Sequence, residues 1–384
     1  MYIYTHIYIY THLFNGNVFG NTGTNICIYM INKKPRIAVV GTGWWATEFH
    51  IPSLKKYESC ELVALVDPNK DKRQKAQTMF DISNGYNSVT QMLSELQIDG
   101  AIVATTSASH HPVAKELLQN GVNVMVEKPF TLLSSEAYEL LKLSQDKKLH
   151  LTIGYTFQHT NAAKQLKKFL DNGEIGDLLL VNGLFASMVE AYYRGMPDQY
   201  KDIFKWAITG PDPETFSDPK LAGGGQGQTQ VSHAIGMILF AINQRATEVV
   251  AFMNNYDLKV DLVDAFAFKC GEDIIGNMGS TGNLRDGDKH QQEFRYYGTK
   301  GYILHDMRSG ELLMRNDKGQ EQVITGSDIG DPYPALAPAR HLVDLISEKE
   351  KVNFAPALPA CWAVEFLEAA YKSAATKEIV KIAN

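Results

Sequence analysis

Two side chains in this sequence have the chemistry to move a proton beside a reacting carbon. One is Lys128, in Glu127-Lys128-Pro129-Phe130, directly after the apolar run Asn123-Val124-Met125-Val126. A part-buried lysine near a like charge has its pKa lowered towards a useful range. It can then hydrogen-bond a reacting hydroxyl and steer or accept its proton. The other is His233, at the end of Gly223-Gly224-Gly225-Gln226-Gly227-Gln228-Thr229-Gln230-Val231-Ser232-His233. A neutral imidazole accepts a proton from an alcohol and returns it. Each has a plainer reading. Lys128 alone reads first as a solvated partner of Glu127, because structural ion pairs are common. His233 alone reads as a polar residue on a helix surface, and the glycines as a flexible connector.

The elements that would position these groups can be read from pattern. Arg36-Ile37-Ala38-Val39-Val40 is a continuous apolar run of the kind found in buried parallel strands. It leads into Gly41-Thr42-Gly43-Trp44-Trp45-Ala46, a GxGxxA turn followed by a helix-compatible stretch to about Lys56. Gly41 permits the tight turn, Gly43 lets backbone approach a pyrophosphate, and Ala46 lets helix and strand pack. Amides at the helix start, around Trp44 and Trp45, face the anion. A second run, Leu62 to Val66, ends at Asp67, 26 residues after Gly41. That is close to where such folds place the acid that binds a ribose 2′-hydroxyl. A carboxylate there favours NAD, with NADP as the alternative because Lys70, Lys72 and Arg73 are near. Asp67 also reads as a helix N-cap.

Strands continue at Ala101–Ala104, ending in Thr105-Thr106-Ser107, and at Asn123–Val126 and Leu149–Gly154, with helices between them, the first carrying His110. Such alternation predicts a parallel sheet wound by helices, with ligands at the carboxyl ends of the strands. After residue 155 the pattern changes to strand-like runs around 177–188, 246–256, 260–270, 273–280, 291–297 and 311–315. Helical stretches follow near 335–347 and 358–375. The expected division is residues 34–154 for nucleotide binding and 155–384 for substrate binding and assembly. Val231, Ala234, Ile235, Ile238, Leu239 and Ile242 form a helical stripe, with His233 off it in the first turn, where the positive helix end disfavours imidazolium. The stretch 190–222, rich in Tyr, Phe, Trp and Pro, reads either as a lid or as a loop pinned by its aromatics.

The whole chain has 384 residues, 45% hydrophobic and 21% charged, with a net charge of −6. Disorder is excluded by this balance, and an acidic chain argues against a nucleic-acid partner. No apolar run is long enough to span a membrane as a helix. Cys27, Cys60, Cys270 and Cys361 form no CxxC, so a metal site of that type is not expected, and a reducing, cytoplasmic setting fits.

Together these residues resemble the glucose–fructose oxidoreductase/inositol dehydrogenase/rhizopine-catabolism (Gfo/Idh/MocA) family, from about Lys34 to the C-terminus. The markers are Gly41-Thr42-Gly43, Asp67, Ala104-Thr105 with His110, Glu127-Lys128-Pro129, Asn172-Gly173-Glu174-Ile175-Gly176, the glycine-rich run to His233, and Gly298-Thr299-Lys300-Gly301. The resemblance implies an α/β fold: a Rossmann domain followed by an α/β domain built on a large, mostly antiparallel open sheet, whose outer face forms a dimer or tetramer interface. It implies NAD(P)-dependent hydride transfer at a sugar or cyclitol carbon, with Lys128 and His233 catalytic. Gly41, Gly43, Trp44, Trp45, Asp67, Thr105, His110, Glu127 and Lys128 would lie at the cofactor, and Tyr155, Gln158, Thr229 and Gln230 at the substrate. Four positions depart from the family pattern. Thr229 stands where an Asp is frequent, Thr106 where a Pro is usual, and Gln158-His159 where Arg-Phe is common. Two other activities fit the same markers: glycoside cleavage with a bound NAD and no net redox change, and a dinucleotide-binding sensor without catalysis.

Residues 1–29 contain no Lys, Arg, Asp or Glu, and Tyr2-Ile3-Tyr4-Thr5-His6 recurs as Tyr8-Ile9-Tyr10-Thr11-His12. Residues 1–30 therefore read as a disordered leader resembling translated simple-sequence DNA. A chain beginning at Met30 is expected to keep its activity and melting temperature, and a large loss of either refutes that reading.

Overall fold

A computed structural model describes residues 33–204, 206–288 and 290–382. The expectation for residues 1–30 lies outside them.

The first apolar runs form six parallel strands: β1 (Arg36–Val40), β2 (Glu61–Val66), β3 (Asn84–Tyr86), β4 (Gly100–Val103), β5 (Asn123–Val126) and β6 (Leu151–Ile153). Their order is β3-β2-β1-β4-β5-β6, the doubly wound order with a switch point between β1 and β4. Strands buried on both faces need no alternation, and β4 is buried at every position. Apolar clusters line both faces, one around Ala38, Val40, Ala101 and Val124, the other around Ile37, Val39, Leu65 and Ile102.

The second sheet is made of β7 (Leu178–Ala186), β8 (Ala246–Asn254), β9 (Val263–Cys270), β10 (Ile274–Thr281), β11 (Gln291–Gly298), β12 (Gly301–Asp306), β13 (Glu311–Asn316), β14 (Glu321–Ile324) and β15 (Val380–Lys381). Its order is β14-β13-β12-β11-β7-β10-β9-β8-β15. All pairs are antiparallel except β7 with β10. Burial alternates strictly along β9 and β11, as a sheet with one covered face requires. The covered face packs on helices Asn161–Asp171, Ser232–Ile242 and Ala357–Thr376 through Phe169, Ile238, Phe266, Phe294 and Phe366. Two sequence markers meet at the ends of its central strands β7 and β11. The Thr299 hydroxyl accepts the Asp177 amide at 3.0 Å, and a Cβ on Gly298 would sit 2.2 Å from the Ile175 carbonyl oxygen.

The C-terminal helices serve both sheets. Helix Ala337–Ile346 adds Ala339, Leu342 and Val343 to the core of the first sheet. Helix Ala357–Thr376 gives Ala357, Ala360, Cys361 and Val364 to the first core and Phe366, Leu367 and Ala370 to the second. Residues 34–384 are accordingly one compact unit.

Candidate active site

The glycine turn has the backbone geometry its sequence suggests. Gly41 has φ +95°, and a Cβ there would meet the Ala104 carbonyl oxygen at 2.4 Å. At Gly43 a Cβ would meet nothing within 4 Å, so the backbone faces open space where an anion can approach. The helix that follows begins at Trp44 and takes a π-helical course over Ala46–His50 before Ile51–Lys55. Its first amides have no partner within the helix and point at that space. These features fit a dinucleotide pyrophosphate.

Asp67 closes the turn from behind. Its carboxylate accepts from the Thr42 amide and hydroxyl, both at 2.8 Å, and from the Asn69 amide at 2.8 Å. The N-cap of helix Lys70–Phe80 is Asn69, so the N-cap reading of Asp67 is corrected. Arg73 donates to the Asp67 main-chain oxygen.

Glu127 is the buried anion of the site. It accepts from His50 Nε2 at 2.8 Å, Trp45 Nε1 at 3.0 Å and the Lys128 amide at 3.0 Å. Burial works against its charge. The hydrogen bond from His50 and the charges of His50 and Lys128 outweigh burial and hold its pKa below the ordinary value. Gly154 is required beside it, since a Cβ there would lie 2.6 Å from the carboxylate. The plain reading of Glu127 as a solvated partner of Lys128 is overturned: it is the buried hub that fixes Trp45, His50 and the backbone of Lys128, beside the place where the resemblance puts the cofactor.

Lys128 reaches across to the second sheet's layer, where its ammonium donates to the Thr229 carbonyl at 3.2 Å. Burial lowers its pKa, and Glu127 opposes part of that. Thr229 lies four residues before His233, about one helical turn. His233 is 6% exposed. Its ring is stacked 6.3 Å from Phe185 and edge-on to Phe157 at 5.6 Å. Burial, then the Lys128 charge, push its pKa well below the ordinary value. It is therefore neutral as expected, but for reasons other than the helix dipole. The helix runs back through a π-turn at Gly227–Val231, so His233 is not in the first turn. Every residue from Ser232 to Ala241 is buried, which overturns the surface reading.

The glycine-rich run is a packed turn. Asp261 Oδ1 accepts the Gly225 amide at 2.8 Å and the Tyr371 hydroxyl at 2.7 Å, and Oδ2 accepts the Gly227 amide at 2.6 Å. A Cβ on Gly224 would fall 2.0 Å from the Tyr371 hydroxyl, and one on Gly225 2.0 Å from the Asp261 carbonyl. The connector reading is thus corrected. Asp261 and Tyr371 were missed in the sequence, which offers no local signal for them.

Several expected site residues act from behind. His110 is buried, with Nδ1 2.8 Å from the Pro129 carbonyl and Nε2 3.2 Å from the Thr105 carbonyl. Both ring nitrogens thus face main-chain carbonyls, between Thr105 and the loop after Lys128. Tyr155 is buried against Gly236 of the His233 helix, 6.4 Å edge-on from the imidazole. Gln158 is buried and its Nε2 donates to the Gly236 carbonyl at 3.1 Å, which anchors that helix, while its Oε1 has no partner. The Thr229 hydroxyl bonds the Gly225 carbonyl at 2.8 Å and Tyr193 at 2.5 Å; its carbonyl, not its side chain, meets Lys128. Gln230 is part-exposed. Trp44 packs on Tyr192 and Phe204, both at 5.8 Å, and Trp45 on Phe49 at 4.3 Å. The aromatics of segment 190–222 therefore pin it over the glycine turn.

A parallel sheet in this order, with an open glycine turn at the carboxyl end of its first strand, defines a Rossmann-type nucleotide-binding layer. Comparison with known proteins agrees. Residues 35–155 match the description "Oxidoreductase family, NAD-binding Rossmann fold", and residues 163–304 match "GFO/IDH/MocA C-terminal domain". These matches cover more than half of the chain, which belongs to the GFO/IDH/MocA family. The inositol 2-dehydrogenase of Corynebacterium glutamicum (strain ATCC 13032) is 25% identical over 170 residues, 43% of this chain and 50% of that protein. The chain spans about half or less of the curated relatives it matches. Among solved structures, GenD2 from gentamicin A biosynthesis, in complex with NAD, has a TM-score of 0.73 at 21% identity, covering 92% of this chain and 97% of its own. Levoglucosan dehydrogenase with NADH and levoglucosan has a TM-score of 0.74 at 17% identity, covering 91% and 100%. At these identities the likeness shows the fold.

Proposed function

We propose that the protein is an NAD(P)-dependent dehydrogenase or reductase acting on a CH–OH or keto group of a sugar, sugar derivative or cyclitol, with NAD preferred. The observation that carries this reading is the meeting of Lys128, from the first sheet, with the helix bearing a neutral His233, beside the open glycine turn. Gly43 and the amides at Trp44 and Trp45 would hold the pyrophosphate, and Asp67 the ribose. Bound NAD supplies the hydride acceptor. Lys128 keeps a donor on the reacting oxygen, which aligns the C–H bond and favours the carbonyl as it forms. His233 takes the hydroxyl proton in oxidation and returns it in reduction. Its aromatic surroundings exclude water and keep the ring neutral, ready to accept.

The proposal divides the labour as residues 34–154 for the dinucleotide and 155–384 for substrate and assembly. Leu179, Phe252, Ile275, Tyr297, Leu304 and Val323 are exposed on the second sheet, an apolar surface that fits a second copy of the chain in a dimer or tetramer. Light scattering on the purified protein tests this, and a monomer at micromolar concentration counts against it. Cys60, Cys270 and Cys361 are free and buried, which fits a cytoplasmic setting. Among the described residues no helix is long and apolar enough to cross a membrane.

The deciding experiment is a screen of sugars, cyclitols and their keto forms with NAD and NADP, followed at 340 nm. A dependence of the signal on both Lys128 and His233 supports the reading. A protein that binds no dinucleotide, or that turns over equally well without either side chain, refutes it.

A further inference from the structure

We propose that Asp212 selects NAD over its 2′-phosphorylated form, by occupying Lys72 and setting a carboxylate over the adenosine end of the groove. The inference rests on the dinucleotide reading above and adds a residue from outside the nucleotide layer.

Segment 190–222 leaves the second sheet and returns onto the first layer at three points. The Ala207 amide donates to Glu48 Oε2 at 2.9 Å, on the helix after the glycine turn. Ile208 packs on the apolar cluster of Ile37, Val39 and Leu65. Asp212 Oδ2 lies 2.5 Å from Lys72 Nζ, in the first turn of helix Lys70–Phe80. Glu48 follows β1 and Lys72 follows β2, so the segment crosses the mouth at which Gly43 and Asp67 lie. The crossing is stiff. A Cβ on Gly210 would strike the Trp206 ring at 2.4 Å, Pro211 and Pro213 flank Asp212, and the Asp212 carbonyl accepts the Thr215 amide at 3.0 Å.

In this fold the acid after the second strand binds the 2′-hydroxyl, and a cation nearby accommodates a 2′-phosphate. Of the cations here, Lys70 is exposed at the first position of the helix, and Arg73 is buried with one guanidinium nitrogen on the Asp67 main-chain oxygen. Lys72 is part-exposed in the first helical turn, the place from which a side chain reaches a phosphate, and Asp212 already pairs with it. A dianionic 2′-phosphate would have to displace that pair and then face two carboxylates, Asp67 and Asp212. A neutral hydroxyl would not. The sequence makes Lys70, Lys72 and Arg73 an argument for NADP; the fold sets against Lys72 a carboxylate 140 positions away.

The test is calorimetric titration of the full chain with NAD and NADP, using wild type, Asp212→Asn and the double variant Lys72→Ala/Asp212→Asn. Wild type is expected to prefer NAD. Asp212→Asn should tighten NADP roughly tenfold, as removal of one charge beside a dianion implies, and leave NAD unchanged. The gain should vanish in the double variant. An unchanged NADP affinity in Asp212→Asn, or equal changes for both nucleotides, overturns the role of Asp212 while leaving the dinucleotide site standing. A wild type that binds neither nucleotide removes both.

Discussion

The ammonium of Lys128 donates to the main-chain carbonyl of Thr229 across 3.2 Å, joining the end of β5 to the helix that carries His233. The candidate site is assembled by this contact between two layers, and neither layer contains it alone. The bond also holds the lysine in waiting. A substrate hydroxyl can compete for the same ammonium, since a lysine carries three donors.

Lys128→Ala is therefore expected to lower kcat by about 10²–10⁴-fold while NAD still binds, because the pyrophosphate is assigned to Gly43 and the amides at Trp44 and Trp45 and not to the lysine. Steady-state rates at 340 nm and calorimetric titration read the two effects separately. Wild-type turnover in the variant removes the lysine from the mechanism.

The two glycines of the turn should behave differently. Gly41→Ala forces a Cβ to within 2.4 Å of the Ala104 carbonyl at a φ of +95°, and it should lower the melting temperature, at a cost of a few kcal/mol. Gly43→Ala meets nothing in the protein. It should melt like the wild type and lose NAD affinity, the added methyl standing where the phosphates approach. Equal melting and equal affinity in both variants would contradict the assignment.

Asp264 lies buried beside Asp261, and neither of its carboxylate oxygens finds a partner. Burial, then the Asp261 charge, raise its pKa from 3.8 to about 9. The folded protein thus keeps a proton that the unfolded chain releases above pH about 4. Stability from this group is full below the unfolded value and falls as pH climbs through the window to about 9, by about 1.4 kcal/mol per unit. Asp264→Asn should remove that slope and raise the melting temperature at pH 8 more than at pH 5. A variant less stable than wild type at pH 8 refutes this.

Buried histidines act in the opposite sense. Burial lowers His305 to about 4 and, with the neighbouring His341 and Lys164 charges, His159 to about 3. Both are neutral in the fold, and the unfolded chain takes up their protons below about 6.5. Their contribution is intact above that value and is lost as pH falls from 6.5 towards 4, each by about 1.4 kcal/mol per unit. With His233 and His110 shifted the same way, these groups outnumber Asp264, and denaturant midpoints should drop between pH 6.5 and 5. His305→Gln should flatten that drop, and an unaltered pH profile counts against it.

The nucleotide half was legible because its signals are local. An apolar run, a glycine turn and an acid at fixed spacing each declare themselves within a few residues, and β1, β2, β4 and β5 stand where the pattern puts them. Strand β14 went unread because its residues are largely exposed, and β3 has only three residues. Helix Asn161–Asp171 was passed over although Ala162, Leu166 and Phe169 mark its buried face. In the candidate site, the sequence motifs single out Lys128 and His233 but carry no trace of the network behind them. Asp261 and Tyr371 reach the glycine-rich turn from 36 and 143 residues away, and no spacing rule connects them. The main-chain carbonyls that His110 and Gln158 Nε2 meet are likewise set by the fold and not by any spacing in the sequence, and Gln158 Oε1 finds no partner.

Helix Ala357–Thr376 gives one end to each core, so neither half has an apolar surface that is finished without it. Residues 34–154 made as a separate fragment would carry an uncovered flank, and would precipitate or bind chaperones. Heating the whole chain should produce one calorimetric peak, because melting either half strips the other of its covering.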